Sequence, residues 1–203
     1  TTLAWFTAFF KGAVGGVERV FKLDAFLRTG PLIEIGTDAS PWGMGGWLSQ
    51  NGVLTHFFAT DVSPDDVAVY GISAGTPDDQ QVWECLAVLV ALSIWSSEWK
   101  QDRIQLRVRA DNVGALTLLL KLRPSSPALA TVDRELALHL IELSFPPDAV
   151  HTPGISHVVA DRLSRVFAPG SCSEVNASLH PALEPAMRTH VPRRSRGWYR
   201  ALT

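Results

Sequence analysis

Between Pro31 and Thr60 the chain reads PLIEIGTDASPWGMGGWLSQNGVLTHFFAT, three short segments of strand character in close succession. Leu32, Ile33 and Ile35 form an apolar run that closes on an acid, Asp38. A glycine-laced run over 43–50 then stops at Asn51-Gly52, the residue pair that best tolerates the left-handed backbone of a two-residue hairpin turn. A further run over 53–60 mixes Val, Thr and Phe, as strands do. Strands over 32–38, 43–50 and 53–60, the last two joined by the tight turn, commit the chain to an antiparallel start and exclude an all-helical fold.

The segments that follow set the fold class. Residues 61–76, rich in Asp, Ser, Pro and Gly, read as a loop. Thr76-Pro77-Asp78-Asp79 reads as a helix start: Thr caps, Pro occupies the first turn, and the acids face the positive end of the helix dipole. The predicted helix runs to about Trp99, and its stretch CLAVLVALSIW is apolar nearly all round, so it is buried on more than one side. Over 103–110, Ile104, Leu106 and Val108 alternate with Gln105, Arg107 and Arg109, a strand pattern. Helices near 112–121 and 127–143, a short strand over 148–152 and a last helix in SHVVADRLSRV complete the order βββ-α-β-α-α-β-α. A hairpin-first sheet joined to βαβ crossovers predicts an α/β fold with a mixed five-stranded sheet flanked by helices.

The flanks differ from this body. Residues 3–28 look like a partly helical lead-in, with Phe, Trp and Leu on one side and Lys11, Glu18, Arg19 and Lys22 on the other, interrupted at Gly15-Gly16. Thr29-Gly30-Pro31 marks its end, and the missing initiator Met reads as a fragment of a longer polypeptide. After Pro169 the periodicity dissolves. From Arg188 onward the chain carries Arg188, Arg193, Arg194, Arg196 and Arg200 with no acid, a charge run that is either solvated or touches phosphates. The expectation is an extended or partner-dependent tail, and segments of 1–30, 31–168 and 169–203.

Composition narrows the function classes. With 46% apolar and 19% charged residues the chain is globular rather than disordered. A net charge of −2 gives no global signature of nucleic-acid binding. No run of about 20 apolar residues is present, which argues against a membrane span. Cys85 and Cys172 lie far apart without metal-ligand spacing, so neither a disulfide scaffold nor a zinc site is implied, and a reducing, intracellular setting is expected.

Four acids stand in structurally awkward places. Asp38 and Asp111 end predicted core strands, Glu84 lies within the apolar helix, and Asp161 lies in the last helix, four residues before Arg165. Each has an ordinary explanation alone, as a turn former, an N-cap, a wet helix stripe or a surface pair. Strand tips and helices packed on one sheet can instead bring all four together. Carboxylates sharing a site cannot all ionise without cations between them. An oxygen-only cluster suits Mg²⁺ or Mn²⁺, and a pair of such ions is the usual apparatus of phosphodiester displacement.

The stretches TDASPWGMGGWLS, QVWECLAVLVALSIW, RVRADNVGAL and HTPGISHVVADRLSRV together resemble the ribonuclease H domain of retroelement reverse transcriptases, over about residues 32–168 and in that family's element order. Long-terminal-repeat and tyrosine-recombinase retrotransposons are nearest in flavour. The resemblance implies a ribonuclease H-like endonuclease that cuts the RNA strand of RNA–DNA hybrids during reverse transcription, with two Mg²⁺ ions, for which Mn²⁺ may substitute. It implies that Asp38 bridges both metals, that Glu84 and Asp111 hold the one on the leaving-group side, and that Asp161 holds the one that activates water. His151 matches a loop His that assists turnover, and Ser40 and Asn112 are candidate contacts to the hybrid backbone. The chain lacks a distinct basic helix-and-loop between 112 and 148, so an attached polymerase domain would supply most phosphate contacts, with the lead-in as tether. A cytoplasmic particle or the nucleus would be its place.

Other readings share the fold. A catalytically inactive connection domain has no need of the four acids. Exonucleases of this type place a second acid two residues after the first, where this chain has Ser40. Integrases use a final Glu on a late helix, which fits Glu84 poorly. GMGGW as a nucleotide-binding loop fails because it opens a strand rather than a helix.

Overall fold

The computed structural model describes residues 2–12, 23–76, 79–99, 104–143, 147–171 and 179–202. Strands β1 (Leu32–Ala39), β2 (Gly43–Gln50) and β3 (Val53–Asp61) form an antiparallel meander. Its second turn is the anticipated hairpin, with Asn51 at φ 50° and Gly52 at φ 83°. β4 (Gln105–Ala110) lies parallel to β1 on its other side, and β5 (Asp148–His151) lies parallel to β4. A two-residue strand from the tail, β6 (Met187–Arg188), pairs in parallel with β3, so the order is β5-β4-β1-β2-β3-β6. The mixed sheet thus carries the five expected strands and a sixth that sequence periodicity did not mark.

Among the described residues two helices precede the sheet, α1 (Thr2–Phe10) and α2 (Leu23–Phe26). The expected break at Gly15-Gly16, along with Glu18, Arg19, Lys22, Pro77, Asp78 and Cys172, lies outside the described residues. Residues 61–76 are not wholly a loop, because α3 (Pro64–Tyr70) forms there. Ser63 and Asp66 close a capping box, Pro64 takes the first helical position, and Gly71 ends the helix at φ 68°. The long apolar helix, α4 (Gln80–Ile94), is shorter than expected at both ends. The Thr76 hydroxyl does not cap it but donates to the Ser73 carbonyl, and a 3₁₀ turn follows over Ser96–Glu98.

Residues 82 to 92 of α4 are all buried, packed between the sheet and the helices α5 (Val113–Lys121) and α6 (Pro127–Glu142). The all-round apolar pattern is therefore that of a central helix. Cys85 is a core residue whose thiol burial pushes up to about 12. On the opposite face of the sheet lies α7 (Val158–Ser164). It can approach because β2 carries Gly45 beneath it, where any side chain would collide with Leu163. Among the described residues no helix is long and apolar enough to cross a membrane.

The tail is part of the fold. Arg194 is 3% exposed, and its guanidinium donates to both Asp66 carboxylate oxygens at 2.9 and 2.7 Å, to the Thr60 hydroxyl and to the Asp61 carbonyl. Tyr199 is fully buried against Tyr70, whose hydroxyl donates to it at 3.0 Å. Trp95 donates its ring N–H to the Thr189 hydroxyl, and the Ala201 amide donates to Glu135. Breaking one side of a buried, fully hydrogen-bonded ion pair costs about 3–5 kcal/mol, since the remaining charge is stranded. Arg194→Met is thus expected to lower unfolding free energy by roughly that amount in chemical denaturation. Adding Asp66→Asn should recover much of it, whereas additive losses in the double variant would contradict the pairing.

Candidate metal centre

The carboxyl ends of β1 and β4 and the first turns of α4 converge at one end of the sheet. Asp38 closes β1, Asp111 follows β4, and Glu84 projects from the second turn of α4. Asp38, Glu84 and Asp111 each present a carboxylate oxygen within 4.8 Å of the other two. Asp38 is 4% exposed and Glu84 5%. Burial, with the Asp38 and Asp111 charges added, pushes Glu84 up to about 9. Burial likewise pushes Asp38 up to about 7, opposed by the Ser164 hydrogen bond and reinforced by the charges of Asp111 and Asp161.

Each buried acid has one oxygen held by a neighbouring side chain. Ser164, fully buried in α7, donates its hydroxyl to Asp38 Oδ2 at 2.5 Å. Gln80, one turn before Glu84, donates its amide to Glu84 Oε1 at 3.1 Å and to the Ala39 carbonyl. Glu84 Oε2 is buried with no hydrogen-bond partner among the described residues. A buried carboxylate oxygen without a donor is costly unless a cation takes its place. The donor set is oxygen only and fits a hard divalent ion such as Mg²⁺ or Mn²⁺.

The remaining expected residues take different positions. Asp161 lies outside the group of three; Arg165 Nε donates to its Oδ1 at 2.6 Å, the anticipated i,i+4 pair, while its charge still reaches Asp38. Asn112 is the N-cap of α5, its Oδ1 accepting from the Ala115 amide at 3.0 Å. The Ser40 hydroxyl is engaged by the fold, donating to the Ser164 carbonyl at 2.8 Å and accepting from the Gly43 amide at 3.1 Å. His151 ends β5, opposite Ala110 and exposed. His157 is instead a core residue, its ring bonded through Nε2 to the Thr37 carbonyl at 2.8 Å.

Sequence reasoning missed Ser164 and Gln80, although both carry a positional signal. Gln80 stands at i−4 from Glu84, and Ser164 stands in ADRLSR three residues after Asp161. The pH response follows from the two raised carboxyls. Both folded values exceed the ordinary carboxyl range, so the metal-free folded chain binds more protons than the unfolded chain between about pH 4 and 9. Its stability is therefore expected to fall as pH rises through that window. Thermal melts in EDTA should show the decline, and Glu84→Gln should flatten it above pH 7. An unchanged slope in that variant would remove Glu84 as its source.

No protein-family model and no curated protein matches the chain. Solved structures do match. Ribonuclease H1 from the halophilic archaeon Halobacterium salinarum aligns with a TM-score of 0.50 at 14% identity, over 68% of this chain and 96% of that one. The N-terminal ribonuclease H domain of Rv2228c from Mycobacterium tuberculosis, solved as a fusion with maltose-binding protein, gives 0.52 at 11% identity, over 70% and 96%. LC11 ribonuclease H1, solved in complex with an RNA/DNA hybrid, gives 0.50 at 18% identity, over 66% and 92%. At such identities the likeness speaks to architecture: this chain has the ribonuclease H-like fold.

Proposed function

We propose that the chain is a metal-dependent endonuclease that hydrolyses the RNA strand of RNA–DNA hybrids, working as the ribonuclease H domain of a retroelement reverse transcriptase. The observation that carries the reading is the three-carboxylate cluster with its unpartnered, buried Glu84 oxygen. The hybrid bound by LC11 ribonuclease H1 supports the substrate class. The retroelement setting rests on the four sequence blocks around the acids. In that setting residues 31–168 are the nuclease domain. Residues 1–30, where Leu3, Phe6, Phe10, Leu23 and Phe26 are exposed, lead in from a polymerase region.

Asp38, Glu84 and Asp111, with Asp161 beside them, would hold two Mg²⁺ or Mn²⁺ ions. When bound, such ions activate water and stabilise the departing oxygen in phosphodiester hydrolysis. The chain's own residues prepare that chemistry. Ser164 and Gln80 each fix one oxygen of a carboxylate, so the free oxygen is already oriented before a cation arrives. Arg165 holds Asp161 at the rim and offsets the negative field of the cluster. Asn112 spends its carbonyl oxygen on the α5 cap, which leaves its amide group to face a nucleotide. His151, exposed at the end of β5 opposite Ala110, would be the loop histidine that assists turnover.

The test is cleavage of an end-labelled RNA–DNA hybrid with Mg²⁺ or Mn²⁺, with single-stranded RNA and duplex DNA as controls. Cutting of the RNA strand in the hybrid alone, abolished by Asp38→Asn, is the expected result. Cutting that survives Asp38→Asn would reject the site. Ser164→Ala is expected to lower kcat/KM and Mn²⁺ affinity together by roughly 10–100-fold, as loss of an outer-shell partner does. If calorimetry gave wild-type Mn²⁺ affinity in that variant, the hydroxyl would have no part in presenting Asp38.

A further inference from the structure

The structure sorts the tail arginines into two kinds. Arg193, Arg194 and Arg200 are bound to acids of the body, Asp65, Asp66 and Glu142. The side chains of the exposed Arg188 and Arg196 have no hydrogen-bond or ion-pair partner among the described residues, and of the two Arg188 lies in a strand. Its backbone is nevertheless fixed. Arg188 sits opposite Phe57 in the β3–β6 pairing, the Thr189 amide donates to the Phe57 carbonyl at 2.7 Å, and Trp95 holds the Thr189 hydroxyl. An unpaired guanidinium on an anchored strand is the opposite of a loosely solvated charge run.

Arg188 lines a polar groove of about 490 Å³, walled by Thr60, Asp61, Phe167 and His190. The groove lies at the same end of the sheet as the carboxylates. β1 and β3 both run toward that end, β6 is parallel to β3, and residues 189–191 therefore travel toward it too. Phe167, a wall of the groove, packs on Gly43 beside the Ser164 carbonyl, and Ser164 in turn holds Asp38. From β1 to β3 is two strand steps of about 4.8 Å, and one more reaches β6, roughly 15 Å in all. One nucleic-acid strand carries a phosphate about every 3.4 Å of axis, so the groove stands about four phosphates from the carboxylates.

We propose that this groove is a second nucleic-acid contact, in which Arg188 and His190 take a backbone phosphate of the strand whose scissile bond lies over Asp38. The inference rests on the nuclease reading and extends it: the tail supplies a phosphate contact that the body, without a basic helix-and-loop, does not. Among the described residues Asp61 is the one acid in the lining, and it confines the anion to the Arg188 side. The contact is sequence-independent, because it reaches only phosphate.

The full-length chain carrying Asp38→Asn, which is expected to bind without cutting, is titrated into a fluorescein-labelled RNA–DNA hybrid in EDTA at several salt concentrations. Adding Arg188→Ala should weaken binding about 3–10-fold at low salt and reduce the slope of log K against log salt by roughly 0.9. Arg188→Lys should restore the slope, and Arg188→Glu should deepen the loss. Thermal melts of each variant confirm that the fold is kept. An unchanged slope in both Arg188→Ala and Arg188→Glu overturns the groove, while hybrid cleavage by the parent chain would still stand. A parent chain that neither binds nor cuts hybrid at low salt overturns both readings. Binding that responds to Arg188 without any cleavage by the parent supports the groove and counts against the nuclease reading alone.

Discussion

Two carboxyl groups buried side by side, Asp38 and Glu84, are the interaction around which the rest of this molecule is arranged. Removing them from water and setting them against Asp111 opposes folding. The surrounding structure makes the arrangement tolerable. Residues 82–92 of α4 are buried throughout, and each large apolar side chain among them contributes about 1.5–3 kcal/mol on full burial. The helix that carries the unfavourable Glu84 is thus also the helix that contributes much of the core. An acid on a less embedded helix could turn toward solvent, whereas Glu84 cannot.

The sheet and the second helical layer play the complementary part. β1 and β4 run parallel and side by side, so Asp38 and Asp111 emerge at the same end. α7 closes over the opposite face at a glycine, and its Ser164 is tied to the Asp38 carboxylate on one side and to the β1–β2 turn on the other. A single residue therefore links the position of a helix to the orientation of an acid. Gln80 does the same within α4. The geometry of the cluster is set by these neighbours before any cation is considered.

Much of this could be read from the amino acids, for identifiable reasons. The hairpin was legible because Asn51-Gly52 permits a backbone few other pairs permit, and the five core strands were legible from their apolar runs and alternation. The convergence of Asp38, Glu84 and Asp111 was legible because each was an acid where an acid is expensive or ends a strand. α3 went unread although Ser63-Pro64-Asp65-Asp66 spells a capping box, because its seven residues are too few to show a helical period. Ser164 and the Asp66–Arg194 pair were hidden for a different reason. The partners of Ser164 and Arg194 lie more than 120 residues away in sequence, and no local pattern encodes a contact at that range. The retained fold of the tail was obscured for the same reason, since its order comes from Tyr70, Trp95 and Asp66 rather than from any periodicity of its own.

The placement of β6 has a consequence for how the domain can be divided. By lying along β3 at His56 and Phe57, it covers part of what would otherwise be the open margin of the sheet. An uncovered strand margin offers unpaired amides and carbonyls to any other chain that passes, and it is a common starting point for self-association. A version cut after residue 168 would keep all four acids, but it would expose that margin and leave Asp66 buried without its cation. Poor solubility in such a truncation would then reflect the missing cover, and would say nothing against the integrity of the carboxylate cluster.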